Sequence, residues 1–226
     1  MTSAILVAAG KSTRMGAGVD KLFLAVAGQP LVAHTWQRFD KHPGLDEIIL
    51  VIRDEMQGAF QHLAAQAQFK KRFHLVPGGK ERQDSVWNGL KAVSSNADIV
   101  VIQDAARPCT SPQLIADTIQ AAREVGAAVA AQRVTDTIKE SDGGTMVQRT
   151  IDRSRLWAVQ TPQTFRTDVL RRALALVRQK SLLITDDTAA CELIGQPVKL
   201  VESAAPNPKI TSPADLPFVE LLLKTL

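Results

Sequence analysis

The chain of 226 residues has no tyrosine, 2 cysteines and an aromatic share of 4%. Two thiols, Cys109 and Cys191, allow one bridge at most, which excludes a disulfide-framed scaffold. The opening Met1-Thr2-Ser3-Ala4 lacks the basic stretch of a secretory leader, so a cytoplasmic protein with both thiols free is expected. Long apolar runs are also missing. Stretches such as 5–9 and 221–223 fall far short of the roughly 18 residues a membrane span requires, and no membrane partner is expected. Nor is charge of one sign concentrated: 27 Lys and Arg face 23 Asp and Glu, a net +4, with the basic residues scattered. Basic and aromatic residues therefore do not interleave into a surface for stacking bases, and no nucleic acid partner is expected.

What remains is ordinary for a chain able to bury a sizeable core, with 45% hydrophobic residues, 13 Gly and 11 Pro. Apolar, β-branched runs of strand length alternate with longer segments of helical period, the pattern of βαβ units. Residues 4–7, 48–52, 73–76 and 99–102 are expected as buried strands of a mainly parallel sheet, so the fold class is α/β. One helix should start with Pro30 at its first position and carry Leu31, Thr35, Trp36 and Phe39. A second carries the stripe Met56, Phe60, Leu63, Ala64 and Ala67, and a third opens at Ser111-Pro112 with Leu114, Ile115, Ile119 and Ala122 on one side.

Past Gly126 the alternation breaks. A strand over 127–134 is followed by Asp142-Gly143-Gly144, a turn between Thr137-Ile138-Lys139 and Met146-Val147-Gln148. That hairpin, near 136–152, is expected to project as an arm. An isolated hairpin is barely stable in water, so the arm should pack on a second copy and make a homodimer. Helices over 170–177 and 186–194, the second closed by Gly195, a strand over 198–201 and a last helix capped by Asp215 complete one domain spanning 1–226.

The first stretch that carries chemistry is Ala8-Ala9-Gly10-Lys11-Ser12-Thr13-Arg14-Met15-Gly16-Ala17-Gly18, directly after a strand and before Lys21. Small residues let backbone N–H groups approach an anion, and Lys11, Arg14 and Lys21 add positive charge, although an ordinary Gly-rich turn has a similar composition. A Walker A loop would need glycine where Ile5 stands, which excludes a P-loop kinase. A dinucleotide fingerprint fails too, because positions 10, 12 and 15 read Gly, Ser and Met.

Further motifs follow in order: Gly78-Gly79-Lys80-Glu81-Arg82-Gln83-Asp84-Ser85-Val86, Asp104-Ala105-Ala106-Arg107-Pro108, Asp136-Thr137-Ile138-Lys139, Asp152-Arg153, Gln160-Thr161-Pro162-Gln163, Thr185-Asp186-Asp187 and Asn207-Pro208-Lys209-Ile210-Thr211. With the first loop they resemble, in register over residues 4 to about 216, the 2-C-methyl-D-erythritol 4-phosphate cytidylyltransferase family of nucleotidyltransferases. The resemblance implies a Rossmann-like fold of the nucleotide-diphospho-sugar transferase type, and a dimer whose arms share the active sites. It also implies transfer of CMP from CTP to a sugar-alcohol phosphate, with Mg²⁺ on the triphosphate. Such a phosphate is already anionic at neutral pH, so no general base is needed, and the four histidines, all outside the motifs, read as surface or packing residues.

By the same resemblance, Arg14 and Lys21 stabilise the transition state, and Ala8, Ala9, Gly79 and Ser85 recognise the cytosine. Asp104, Arg107, Thr161 and Lys209 form the acceptor pocket, Thr137 and Arg153 reach in from the partner's arm, and Arg153 and Lys209 join the catalytic set. Gly10, Arg82 and Ala105 belong to the substrate-binding set, and Asp104 is a candidate metal ligand. Ser12, Leu22 and Gln103 stand where the family usually has Gly, Gln and His. Two neighbouring readings stay open: a cytidylyltransferase for ribitol 5-phosphate, and a non-catalytic CTP-binding protein of the same fold.

Overall fold

The structure, a computed structural model, describes residues 1–11 and 20–225. In its first half, β1 (Thr2–Val7) is followed by the short pair β2 (Ala25–Val26) and β3 (Gln29–Pro30), helix α1 (Leu31–Lys41), β4 (Glu47–Ile52), α2 (Gln57–Ala67), β5 (Arg72–Pro77), α3 (Arg82–Ala92) and β6 (Ile99–Asp104). The second half runs through α4 (Pro112–Val125), β7 (Ala127–Arg133), β8 (Ile138–Ser141), β9 (Val147–Ile151), β10 (Trp157–Arg166), α5 (Thr167–Gln179), α6 (Asp187–Leu193), β11 (Lys199–Glu202) and α7 (Leu216–Thr225).

Seven strands form one sheet in the order β11-β7-β10-β6-β1-β4-β5. Side chains alternate across a strand, and here both faces are apolar. Ala4, Leu6, Ile48 and Leu50 pack on one side with Trp36, Phe39, Phe60, Ile115 and Ile119 of α1, α2 and α4. Ile5, Ile49, Val51, Val100 and Ile102 face the other side with Val86, Leu90, Leu170 and Leu174 of α3 and α5. The scarce aromatics gather on the first side, where Trp36 stacks on Phe69 at 3.9 Å between centroids and meets Phe73 edge-on at 5.0 Å.

The chain leaves β1 through α1 toward β4 and β5, then returns through α3 to place β6 on the other flank of β1. Right-handed crossovers in opposite directions put α1 and α3 on opposite faces, and the carboxyl ends of β1 and β6 diverge into a crevice.

Three expectations need correction. Pro30 is not the first helical residue: it is extended (φ −53°, ψ 138°) because β3 still pairs with β2, and Leu31 donates to the Leu24 carbonyl at 2.9 Å. Asp215 does not open the last helix as an extended cap: it ends a 3-10 turn over Pro213–Asp215 that is itself capped by Ser212 and feeds α7, and its side chain accepts from the backbone N–H groups of Thr211 and Ser212. No strand was expected over 157–166, yet β10 is central and, among the described strands of the sheet, alone runs antiparallel to its neighbours. Proline argues against an inner strand, but Pro162 sits where the register with β7 shifts between Val159 and Gln163.

β8 and β9 pair as the expected hairpin, a separate two-stranded sheet that is mostly exposed, with Gly143 in the turn at φ +96°. Glu140 and Arg149 form an ion pair across it. Both cysteines are free and buried, and burial pushes the thiols up to about 11 for Cys109 and about 12 for Cys191. Among the described residues no helix is long and apolar enough to cross a membrane.

Gly89 brings α3 close to the sheet: a β-carbon there would lie 2.7 Å from Ile5 Cγ2 and 2.9 Å from Val51 Cγ2. Gly89→Val should destabilise the protein by about 1–3 kcal/mol, read from urea unfolding. An unchanged midpoint would contradict this packing.

Candidate active site

At the crevice Val7 pairs with Asp104, and both flanking chains stay tied to the sheet as they leave it. Ala8 donates to the Val51 carbonyl at 2.7 Å, and Ala105 to that of Val7 at 3.1 Å. The Ala105 carbonyl is fixed from below by the buried Thr35 hydroxyl, which donates to it at 2.8 Å. A cleft of about 690 Å³ opens here, lined by Ala8, Ala9, Gly10, Lys21, Gly79, Arg82, Ser85, Asp104, Ala105 and Lys209 of the expected set.

Two glycines shape its floor. A β-carbon on Gly78 would stand 2.3 Å from Ala9 Cβ, and one on Gly79 2.2 Å from Asp84 Cβ, so only glycine lets the two loops meet. The Ser85 hydroxyl accepts from the Gly79 N–H at 3.0 Å and donates to the Glu81 carbonyl at 3.2 Å, holding the turn in place.

Charge dominates the inner wall. Asp104 receives Lys209 Nζ at 2.7 Å and Arg107 Nε at 3.8 Å on one oxygen, and Arg82 Nε at 3.4 Å on the other. Arg82 also donates through Nη1 to the fully buried Asp187 at 2.7 Å. Burial alone would raise the Asp104 carboxyl, but Arg82, Lys209 and Arg107 outweigh it and hold it below the ordinary aspartate value. Burial works against the Arg82 charge too; Asp187 and Asp104 overcome it and stabilise the guanidinium. Burial lowers Arg107 and raises Asp187. Three cations thus share two carboxylates, and surplus positive charge faces the cleft.

A second cavity of about 300 Å³ adjoins the first and shares Arg82, Asp104 and Lys209 with it, adding Arg107, Thr161 and Thr185. Thr161 Oγ1 accepts from the Asp104 N–H at 3.1 Å, and Arg107 donates to the Asn207 carbonyl at 2.6 Å. Lys21 donates to the Ile210 carbonyl at 2.9 Å, which binds the first cleft to the segment carrying Lys209.

Thr137 and Arg153 are exposed on and beside the hairpin, outside the linings of both cavities, and the Arg153 guanidinium donates to the Thr135 carbonyl. Arg14 and Ser12 lie outside the described residues. Sequence reasoning missed Arg53, which pairs with Asp20 at 2.6 Å, donates to the Gly10 carbonyl at 3.0 Å and holds both to the end of β4. Its position, first after an expected strand on the same sheet edge as Asp104, was an available signal. It also assigned no role to Asp187. Among the described residues no histidine lines either cavity.

Asp104 does not fit the part of a metal ligand. Its oxygens are committed to three cations, and among the described residues no group of three or more His, Cys, Asp or Glu could hold an ion.

The family profile for 2-C-methyl-D-erythritol 4-phosphate cytidylyltransferase matches residues 2–225. A protein of that name from Geobacillus kaustophilus is 43% identical over 220 residues, 97% of this chain and 96% of the relative. The crystal structure of 4-diphosphocytidyl-2C-methyl-D-erythritol synthase from Anaerococcus prevotii superposes with a TM-score of 0.87 at 28% identity, over 99% of this chain and 96% of that one. The 2-C-methyl-D-erythritol 4-phosphate cytidylyltransferase of Thermus thermophilus gives 0.80 at 32% identity, over 99% and 100%.

Because the Asp104 pKa is depressed on folding, its ion pairs contribute stability above the unfolded value of about 3.9, and the contribution is lost as pH falls through the folded value. Asp104→Asn should cost on the order of 3–5 kcal/mol at pH 7, and the gap to wild type should narrow below about pH 4. Urea midpoints at pH 7 and pH 3 check this; an equal gap at both would contradict it.

Proposed function

The chain belongs to the 2-C-methyl-D-erythritol 4-phosphate cytidylyltransferase family, and on that premise we propose that its two adjoining cavities hold the two substrates. The reaction joins CTP to 2-C-methyl-D-erythritol 4-phosphate, giving 4-diphosphocytidyl-2-C-methyl-D-erythritol and pyrophosphate, a step of the non-mevalonate route to isoprenoid precursors. One observation carries the proposal: Arg82, Asp104 and Lys209 form a wall common to both cavities. Two polyanions that meet along that shared lining are each drawn toward its surplus positive charge, which offsets their mutual repulsion.

CTP occupies the larger cleft. Its base lies where Gly78 and Gly79 give close backbone approach, and its triphosphate runs toward Lys21. The acceptor phosphate enters the smaller cavity beside Arg107 and Thr161. An oxygen of that phosphate attacks the α-phosphorus; the new P–O bond forms as the bond to the β-phosphate breaks, and pyrophosphate leaves with the electron pair. The attacking oxygen is already ionised at neutral pH, so no proton need be removed. Catalysis then rests on holding the two anions in line and on cations aimed where charge develops, the part proposed for Lys21 and for Arg14. Magnesium is proposed as a companion of the triphosphate rather than a resident of the protein.

The arm is proposed to pack on a second copy, so that Thr137 and Arg153 of one chain complete the acceptor cavity of the other. Their exposure, and their standing outside the linings of both cavities of their own chain, support this reading.

Pyrophosphate release should depend on both CTP and 2-C-methyl-D-erythritol 4-phosphate, with ribitol 5-phosphate at least tenfold poorer in kcat/KM, equivalent to about 1.4 kcal/mol. Equal rates with both acceptors would sink the acceptor assignment, and CTP binding without turnover would leave a nucleotide-binding protein. Lys21→Ala and Arg14→Ala should each lower kcat by about 10²–10³-fold. Light scattering should give twice the chain mass; a monomer with full activity would remove the shared site.

A further inference from the structure

Asp187 stands at the start of α6, fully buried, with one oxygen on Arg82 and the other, Oδ1, without a hydrogen-bond partner among the described residues. Burying a carboxylate is costly, and a half-satisfied one more so, which makes its presence informative.

Helix capping does not explain it. The cap is Asp186, which accepts from the Ala189 N–H at 2.9 Å, the Thr188 hydroxyl at 2.8 Å and the Gln163 amide at 2.9 Å. Packing does not explain it either, because an apolar side chain of similar volume would fill the space without the desolvation cost. What remains is the contact with Arg82. That guanidinium is gripped from behind by Asp187 at 2.7 Å and touches Asp104, on the lining common to both cavities, more loosely at 3.4 Å.

We infer that Asp187 is a positioning residue: it anchors Arg82 so that the face now turned to Asp104 can take a phosphoryl oxygen of the acceptor without the side chain leaving the wall. The inference rests on the reading of the two cavities given above. A planar guanidinium has five donors in a fixed fork, so one edge can stay on Asp187 while another exchanges Asp104 for substrate. Without the rear anchor Arg82 collapses onto Asp104, and the two neutralise each other where the acceptor should bind.

Asp187→Asn keeps the volume and removes the charge. It should raise KM for the acceptor phosphate by about 10-fold, the equivalent of one charge-assisted hydrogen bond, with KM for CTP within about twofold of wild type. In an Arg82→Ala background the same substitution should change KM by less than about twofold, since there is no guanidinium left to position. Independent, multiplying effects would overturn the inference, as would an Asp187→Asn enzyme with a lowered thermal midpoint but wild-type KM. Should Asp187→Asn fail to fold, Arg82→Lys serves instead. A lysine keeps the charge but lacks the fork, so it should raise acceptor KM to a similar degree, and a wild-type KM would overturn the inference. A wild-type enzyme that releases no pyrophosphate defeats the two-cavity reading, whereas an active wild type with unaltered variants defeats this inference alone.

Discussion

The structure around the site depends on one buried carboxylate. Asp104 sits at the end of β6 with three cations on it, and it is their attraction that brings together side chains distant in sequence: Arg82 from the start of α3, Arg107 from the following turn, and Lys209 from the irregular stretch after β11. Cations of like charge so close would repel, and in a half-buried wall that repulsion is little screened. Asp104 makes the assembly stable while leaving it short of neutral. A site built to attract phosphate needs both properties together.

The sheet decides where that carboxylate lies. Reversal of the winding between β1 and β6 leaves both carboxyl ends without a covering helix, so backbone ends and charged termini face an open crevice. The antiparallel β10 then runs past β6 and delivers Thr161 to the Asp104 N–H. Its register shift lies in that same stretch, so the irregularity in the strand and the wall of the smaller cavity are one feature.

Three of the four strand-length apolar runs, those of β1, β4 and β6, were legible because both faces of a parallel sheet are buried there, and burial leaves little choice but Val, Ile and Leu; the fourth, 73–76, is a strand as expected but only half-buried, because β5 lies at the sheet edge. The hairpin was legible from Asp142-Gly143-Gly144. β10 was not: Gln160, Thr161, Pro162 and Gln163 read as loop, and what makes them strand is pairing with β6 and β7, which no local pattern reports. The site divides in the same way. Gly78 and Gly79 announce themselves by residue type, and the charged motifs by their order. The work of Arg53 and Asp187 depends on partners 33 and 105 positions away, Asp20 and Arg82, and is visible only once the chain is folded.

The stretch between β11 and the 3-10 turn that precedes α7 has no regular structure, yet it closes both cavities: Asn207 takes Arg107, Lys209 takes Asp104, and Ile210 receives Lys21 and pairs with Ala106. During synthesis the sheet from β1 to β6 can assemble long before that stretch leaves the ribosome. Until it does, Asp104 has only its two arginines and the larger cleft lacks Lys209 on its lining. A chain lacking only this late stretch would therefore have most of its sheet and neither cavity complete, because Lys209 lines both.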